Sequence, residues 1–346
     1  MPNIGIIGSG NISDTHARAA QSIPGVEIAA VFGRQLDKAK RLTDAYGGRP
    51  FDDLDQFLAH RPMDIVAIGS PSGMHAAHGI AAAEAGLHVL VEKPLDITLE
   101  RADALIEAAD RAGVKLGVFF QDRLKPDVVD MKAIVEAGVL GKPVLASGRV
   151  KWYRPPEYYG GSRWRGTFAL DGGGALINQA IHTIDLLLYV FGPIVRVDAR
   201  AGTQLHAIEV EDTVVATVEF ANGALGVFEA STAVFPGYAR RVEISGTTGT
   251  MILEHDQIAS VDLLPGTDAG PHAARAAAAN QSAPAANAAS PIVADATPHR
   301  RIIENFIEAV RTGGSPICDG PEGRRSVAVC DAIYRSARLK QAVDIA

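Results

Sequence analysis

The amino-acid sequence predicts an α/β chain in two parts: a doubly wound parallel sheet, then an α+β domain on a large, mostly antiparallel open sheet. Three observations carry this. Short β-branched apolar runs alternate with helical stretches up to residue 120, the pattern of a parallel sheet covered on both faces. From residue 144 the strands lengthen and alternate apolar with polar residues, as in a sheet with one solvated face. A length of 346 residues leaves room for two domains.

The elements follow in order. Residues 3–7 read as a strand, and 13–23 as a helix with Ser13 as its N-cap. A strand at 26–32 leads to a helix at 35–46, ended by Gly47-Gly48. Strands at 64–69, 88–91 and 114–120 enclose helices at 74–86 and 98–112. The pattern changes near residue 122. A helix is expected at 127–137, with strands at 144–152, 194–201, 213–220, 224–231 and 240–245. Asn222-Gly223 is a hairpin signal, and a strong helix at 174–190 interrupts the strands. Residues 264–297 are rich in Ala, Pro, Gly, Asn and Ser without a period, and read as a long flexible surface loop. Residues 299–312 return to a helix striped by Ile302, Ile303, Phe306 and Val310. The expected domains are 1–122 and 123–346, with no internal repeat.

Composition narrows the function. Hydrophobic residues make up 47% and charged residues 21%, as in an ordinary globular protein. The net charge of −7 argues against a nucleic-acid partner, which needs a concentrated basic footprint. Two cysteines, Cys318 and Cys330, are too few for a disulfide framework or a zinc site, so no metal is expected and a reducing cytoplasm is the simpler location. No basic segment precedes the first apolar run, so no signal peptide is expected, and no apolar stretch is long enough to span a bilayer.

Gly8-Ser9-Gly10-Asn11-Ile12-Ser13 joins the first strand to the first helix. A glycine-rich turn there can bring backbone N–H groups to a pyrophosphate. Gly8 permits the tight turn and Gly10 a close approach, while Ser13 replaces the usual third glycine. The motif alone is also met in any tight turn before a helix; its place at the head of a βα series favours a dinucleotide, and with it a Rossmann domain. After strand two, an acid selects NAD and an arginine accommodates NADP. Phe32-Gly33-Arg34 has no acid: Gly33 leaves room for a 2′-phosphate and Arg34 supplies a charge, which tilts the choice between the two cofactors toward NADP, unless Arg34 is a solvated surface residue.

Glu92-Lys93-Pro94 follows strand four, where ligands of open parallel sheets gather. A lysine partly desolvated beside a cofactor can shuttle a proton. Glu92 would pair with Lys93 or hydrogen-bond a ribose; the alternative for both is a surface ion pair. On helix 174–190, Asn178, His182 and Asp185 are spaced i, i+4, i+7 and share a face. His182 has a pKa range suited to proton transfer. Gly172 to Gly174 ahead of it suit close approach of a backbone to a ligand. A hydrogen-bonded structural histidine is the competing reading. Between these lies Trp152-Tyr153-Arg154-Pro155-Pro156-Glu157-Tyr158-Tyr159, then Arg163-Trp164-Arg165. Such a segment suits a sugar ring, or the anionic group of a nucleotide sugar or sugar acid, and equally an interface loop. Tyr153, Tyr158, Arg163 and Trp164 are its candidate substrate contacts.

The runs IGIIGSGNIS, SPSGMHAAHGIAAAEAGLHVLVEKPL, GVFFQDRLKP and WRGTFALDGGGALINQAIHTIDLLLYVFG resemble the glucose–fructose oxidoreductase, inositol dehydrogenase and MocA family along nearly the whole chain. The resemblance implies a Rossmann domain followed by an open-sheet domain that often mediates oligomerisation, so a homodimer or homotetramer is expected. It implies Lys93 and His182 in the active site, Ser70, Pro71 and His75 near the nicotinamide ribose, and Arg123 at the start of the second domain as a substrate contact. Many members carry an aspartate where this chain has Asn178, which cannot accept a proton and can only hydrogen-bond a hydroxyl. The INQAIHTIDLL run resembles members that oxidise a pyranose. The expected reaction is hydride transfer between NAD(P) and a sugar hydroxyl or keto group. Lys93 or His182 moves the proton, Asn178 holds a hydroxyl, and Asp185 orients His182, binds substrate or is structural instead. A glycoside hydrolase that retains its nicotinamide and oxidises transiently is one alternative; a non-catalytic NAD(P) sensor is another.

Overall fold

The computed structural model describes residues 2–279 and 295–345. In chain order its elements are β1 (Asn3–Ile7), α1 (Asn11–Gln21), β2 (Glu27–Phe32), α2 (Leu36–Tyr46), β3 (Arg49–Phe51), α3 (Leu54–Ala59), β4 (Ile65–Ile68), α4 (His75–Glu84), β5 (His88–Val91), α5 (Leu99–Ala112), β6 (Leu116–Val118), α6 (Pro126–Glu136), β7 (Pro143–Lys151), α7 (Pro156–Gly160), α8 (Ile181–Val190), β8 (Ile194–Gly202), β9 (Thr213–Phe220), β10 (Leu225–Ser231), β11 (Arg241–Gly246), β12 (Gly249–Glu254), β13 (Gln257–Leu263), α9 (Gly270–Ala279), α10 (Thr297–Thr312), α11 (Gly320–Leu339) and β14 (Val343–Asp344).

The chain divides into two compact units: Met1–Gln121 with Pro291–Val327, and Asp122–Ser290 with Ala328–Ala346. The units therefore differ from the two consecutive segments expected at 1–122 and 123–346. The reason is physical. The apolar stripe of α10 packs on α1, and Phe306 fills the space above Gly117, where a Cβ would lie 2.7 Å from its ring. Loss of a buried phenylalanine of this kind costs about 3–5 kcal/mol. Strand β6 is also extended by the chain near Cys318, whose carbonyl accepts from the Val118 N–H at 2.9 Å.

The first unit holds a six-stranded, all-parallel sheet in the order β3-β2-β1-β4-β5-β6. Strands β1, β4 and β5 are buried on both faces, as their unbroken apolar runs require. The strand order reverses at β1, and the crevice outside the carboxyl ends of β1 and β4 is where such sheets bind ligands. The short β3 and α3 were not expected. Pro50 interrupts any strand pattern, and α3 has a single turn and a half, capped by Asp53 Oδ1 accepting from Gln56 N at 2.8 Å. Helix α1 starts earlier than expected: Gly10 is its N-cap, and Ser13 is buried within the first turn.

The second unit holds an eight-stranded sheet in the order β13-β12-β11-β7-β10-β9-β8-β14. Only β7 and β10 pair in parallel. The β9–β10 hairpin turns at Asn222-Gly223 as expected, with Gly223 at φ 85°. Strand β9 alternates buried and exposed residues along its length. Helix α8 covers the buried face, its Thr183 and Leu187 lying against Gly148 of β7. On the other face Leu145, Val215, Leu225 and Val227 are exposed. The loop expected at 264–297 is corrected in part: Gly270–Ala279 is helix α9, and Thr297 already begins α10. Residues 280–294 of that expectation lie outside the described residues.

Candidate active site

In the first unit, four chain segments leave the sheet at the carboxyl ends of its strands. Backbone bonds hold them in register: Gly8 N to Phe32 O at 2.8 Å, Gly69 N to Ile7 O at 2.8 Å, and Glu92 N to Ile68 O at 2.9 Å. Gly8 adopts φ 116°, and a Cβ there would lie 2.7 Å from the Gly69 carbonyl and Ser13 Oγ. A side chain is excluded on both counts. At Gly10 a Cβ would meet nothing within 4 Å. The N-cap of α1 has no side-chain hydrogen bond, Asn11 is exposed and Ile12 half-buried, and the first N–H groups of a helix have no partner within the helix. This cradle fits a dinucleotide pyrophosphate by its donors and by the room left at Gly10.

Gly33 was expected to leave room for a 2′-phosphate. That room is taken: a Cβ on Gly33 would lie 2.5 Å from Ser9 Oγ, so the glycine seats the phosphate turn itself. Arg34 beside it is exposed, as are Gln35 and Asp37.

Two other expectations for this unit are corrected. His75 does not line the cleft. It is buried, with Nδ1 2.7 Å from the Pro94 carbonyl and Nε2 2.9 Å from the Ser70 carbonyl, and so braces the turns after β4 and β5. Burial pushes its pKa down against the pull of those carbonyls. Half-buried Ser70 also bonds His78 Nδ1 through Oγ at 2.9 Å, and half-buried Pro71 precedes a short 3₁₀ turn at Ser72–Met74. Glu92 is buried too, with Oε1 2.9 Å from His16 Nε2 and 3.5 Å from His299 Nε2. Burial alone would raise its pKa, but the bonds from the two histidines hold the carboxyl well below the usual range. Its Oε2 accepts from the Lys93 backbone N–H at 3.2 Å. Glu92 thus anchors the turn that presents half-buried Lys93, instead of touching a ribose. His16 stacks on Phe119 at 4.3 Å and completes this interior group, which the sequence reading missed. Among the described residues, His16, Glu92 and His299 form the one group whose metal-ligand atoms lie within 4.8 Å of one another. It offers three ligands where a structural zinc takes four, and its His16–Glu92 spacing is that of a hydrogen bond.

In the second unit, the helix expected at 174–190 begins with a π-helical turn, Ala175–Ala180, before α8. Such turns are frequent at functional sites. Glu211 caps it: Oε1 accepts from Leu176 N at 2.8 Å and both oxygens from Gly174 N at 3.1 Å. Burial raises its pKa against those N–H bonds. The glycines ahead of the helix make room for protein, not for a ligand as expected. A Cβ on Gly173 would lie 2.0 Å from the Tyr334 hydroxyl, and one on Gly174 would lie 2.0 Å from the Glu211 carbonyl.

Asn178 and His182 are half-buried on this element. Asn178 donates through Nδ2 to Asp171 Oδ1 and accepts from Gln179 Nε2 at 3.0 Å. His182 Nδ1 lies 3.7 Å from Asp122 Oδ2, longer than a hydrogen bond. Asp122 is buried, 2.6 Å from both Arg240 and Lys125, which in turn pair with Asp256. Burial would raise the pKa of Asp122, but Arg240 and Lys125 keep its carboxyl well below the usual range. His182 therefore faces a carboxylate whose charge is shared with Arg240 and Lys125. Asp185 was expected to orient His182 and Arg123 to bind substrate. Both are 1% exposed and bond each other twice, Arg123 Nε to Oδ2 at 2.9 Å and Nη2 to Oδ1 at 2.6 Å. They form a buried ion pair, with Arg123 over the Tyr189 ring.

In the aromatic segment, Tyr158 is half-buried and accepts from Gln179 Nε2 at 2.8 Å. Tyr153 packs edge-on to Phe235, and Trp164 is half-buried. Arg163 points to solvent, and the inward cations are its neighbours Arg154 and Arg165. Adjacent arginines in one loop cannot be sorted by sequence, because no helical or strand period fixes which points in.

Comparison with known proteins now adds to this geometry. Residues 2–120 match the family described as "Oxidoreductase family, NAD-binding Rossmann fold", and residues 128–252 match the GFO/IDH/MocA C-terminal domain. D-glucoside 3-dehydrogenase of Escherichia coli is 32% identical over 67% of this chain and 70% of that protein. D-apiose dehydrogenase of Paraburkholderia graminis is 27% identical over 98% of this chain and 88% of that protein. The crystal structure of the WlbA dehydrogenase from Bordetella pertussis, in complex with NADH and UDP-GlcNAcA, superposes with a TM-score of 0.90 at 31% identity, covering 100% of this chain and 98% of that one. The chain belongs to the GFO/IDH/MocA family of NAD-binding oxidoreductases.

Proposed function

We propose that this family member oxidises a secondary hydroxyl of a pyranose-type sugar, or reduces the corresponding ketone, with Lys93 and His182 as its proton-transfer groups. The observation that carries the reading is the open cradle at Gly8–Gly10 together with Lys93, set on a turn fixed by Glu92, His16 and His299. The sugar class follows from the names of the relatives, two of which are dehydrogenases of a glucoside and of apiose. Gly8, Gly10, Asn11 and Ile12 would hold the pyrophosphate; Ser70 and Pro71 would border the nicotinamide ribose. When bound, the nicotinamide supplies hydride acceptance or donation. The chain's own groups manage the hydroxyl. Lys93 Nζ takes the proton as the C–H bond breaks and gives it back in reduction. His182, facing Asp122, is the alternative acceptor for that proton. Asn178, which donates to Asp171 and accepts from Gln179, would hold a substrate hydroxyl in register by hydrogen bonding. It cannot itself take a proton.

Arg34 tilts cofactor choice toward NADP, because an exposed arginine follows strand β2 and no acid occupies Gly33. The exposed apolar side chains Leu145, Val215, Leu225 and Val227 on one sheet face favour a homodimer or homotetramer. Both cysteines are buried, which suits a reducing cytoplasm; no helix among the described residues is long and apolar enough to cross a membrane. The test is a panel of pyranoses, polyols and sugar acids followed at the reduced-nicotinamide absorbance, with NAD and NADP in parallel. Turnover of a sugar with net cofactor reduction is expected. Release of an aglycone without net reduction, or tight cofactor binding with no turnover on any sugar, would contradict it.

A further inference from the structure

Four charged side chains beside His182 close into a ring. Asp122 lies in the short turn Gln121–Leu124, and Lys125 is the N-cap residue of α6. Arg240 precedes β11, and Asp256 sits at the tip of the β12–β13 hairpin. Each carboxylate meets both cations. Lys125 Nζ is 2.6 Å from Asp122 Oδ1 and 2.6 Å from Asp256 Oδ2. Arg240 donates through Nη1 to Asp122 Oδ2 at 2.6 Å and through Nη2 to Asp256 Oδ1. Two negative charges are thus matched by two positive ones. Burial would lower the pKa of Arg240 and raise that of Asp256, but the opposite charges around them move both the other way.

The hairpin tip is held in place. His255 and Asp256 adopt φ of 52° and 61°, a left-handed backbone that few side chains accept. Asp127 of α6 pins the tip, its Oδ2 accepting from Ile258 N at 2.7 Å. Such strain persists where surrounding contacts over-determine it, often near a functional group.

Asp122 also reaches His182, with Oδ2 3.7 Å from Nδ1. A carboxylate on that side favours the tautomer with its proton on Nδ1, which leaves Nε2 as the acceptor. On the same helical element, Asn178 carries no charge and Asp185 is committed to Arg123. The full charge of Asp122 would raise the proton affinity of the imidazole, and Arg240 and Lys125 cancel much of that pull. The ring therefore orients the histidine without fixing a charge on it.

We propose that Asp122 is the positioning residue of His182, and that Arg240, Lys125 and Asp256 act through it to set the proton affinity of that histidine. This rests on the reading of His182 as a proton acceptor. When hydride leaves for the nicotinamide, the hydroxyl proton passes to Nε2, Nδ1 keeps its own, and the imidazolium that forms stands beside Asp122.

The test follows the His182 Cε1–Hε1 resonance by NMR in the full-length protein carrying isotope-labelled histidine, with the His182→Gln spectrum identifying the signal. Asp122→Asn removes the near negative charge and is expected to lower the titration midpoint by about 1 pH unit or more. That variant strands buried charge, so the rim of the ring supplies a matched pair. Asp256→Asn, in a backbone conformation that asparagine accepts, leaves one net positive charge, and Lys125→Gln leaves one net negative charge. The midpoint is expected to fall in the first and rise in the second, by about 0.3–1 pH unit each at low salt. The acid limb of kcat/KM for the best sugar of the panel should move the same way. A purely structural role would lower Tm in both variants and leave the midpoint still. Midpoints within about 0.1 pH unit of the parent in all three variants, or rim variants that move in the same direction, overturn the proposal. Midpoints that move as expected while the acid limb stays in place keep the ring and overturn His182 as the proton acceptor.

Discussion

Asp185→Asn removes one charge of a pair that is buried on both sides. Asp185 and Arg123 are each 1% exposed and meet through two hydrogen bonds of 2.9 and 2.6 Å. Breaking such a pair strands a guanidinium charge in a low-dielectric interior, at a cost of about 3–5 kcal/mol. For a domain of this size each kcal/mol lowers Tm by about 2–4 °C, so the variant should melt roughly 6–20 °C lower. Arg123→Met combined with Asp185→Leu removes both charges and fills the space, and should recover most of the loss. Thermal unfolding followed by circular dichroism measures the first quantity. The KM for the sugar, taken well below the transition, measures the second and should stay within about twofold, because the pair faces the interior. A variant with Tm within about 2 °C of the parent and a sharply raised KM would refute the structural assignment and return both residues to the substrate.

Gly173→Ala pushes a methyl group to 2.0 Å from the Tyr334 hydroxyl and should cost about 1–3 kcal/mol in thermal unfolding. Tyr334→Phe in the same chain should restore part of it, and no restoration would mean that the glycine serves something other than this contact. His78 is held down to about 4, first by burial and then by the charges of His75 and Arg34. An unfolded histidine protonates near 6.5, so between about pH 6.5 and 4 the unfolded chain binds a proton that the folded one refuses, and stability falls with pH by up to about 3 kcal/mol. Denaturant unfolding across that window should show a shallower slope in His78→Gln; an unchanged slope would contradict the assignment. Arg34→Ala should raise the KM for NADP about tenfold while moving that for NAD by less than about twofold, and equal effects on the two would remove the basis for an NADP preference.

Much of the first unit was legible because parallel strands buried on both faces leave unbroken apolar runs, as in Ile4 to Ile7 and Val89 to Val91. The hairpin at Asn222-Gly223 was equally plain, since few residues accept the φ of its second position. Strand β3 and helix α3 escaped notice because three residues around Pro50 and six around Phe57 are too short to show a period. The return of α10 to the first unit was invisible for a different reason. An amphipathic stripe says that a face is buried, not which sheet or helix buries it. At the site, the turn at Gly8–Gly10 and the segment around Lys93 could be recognised locally, because backbone geometry there follows from neighbouring residues. The partners of Asp122, Glu92 and Glu211 could not, because Arg240, His299 and Tyr334 lie more than a hundred residues away in the chain. Spacing placed Asp185 on the face of His182, yet the charge on Arg123 claimed it.

The central claim is that Lys93 moves the hydroxyl proton in a nicotinamide-dependent oxidation. Lys93→Ala tests it most directly, with turnover measured by stopped-flow reduced-nicotinamide absorbance on the best sugar of the panel and cofactor binding measured by fluorescence in the same preparation. Removal of a positioned proton acceptor should lower kcat by about 10²–10⁴-fold, with cofactor affinity and Tm close to those of the parent. A variant that binds cofactor normally and turns over at a near-parental rate would contradict the account.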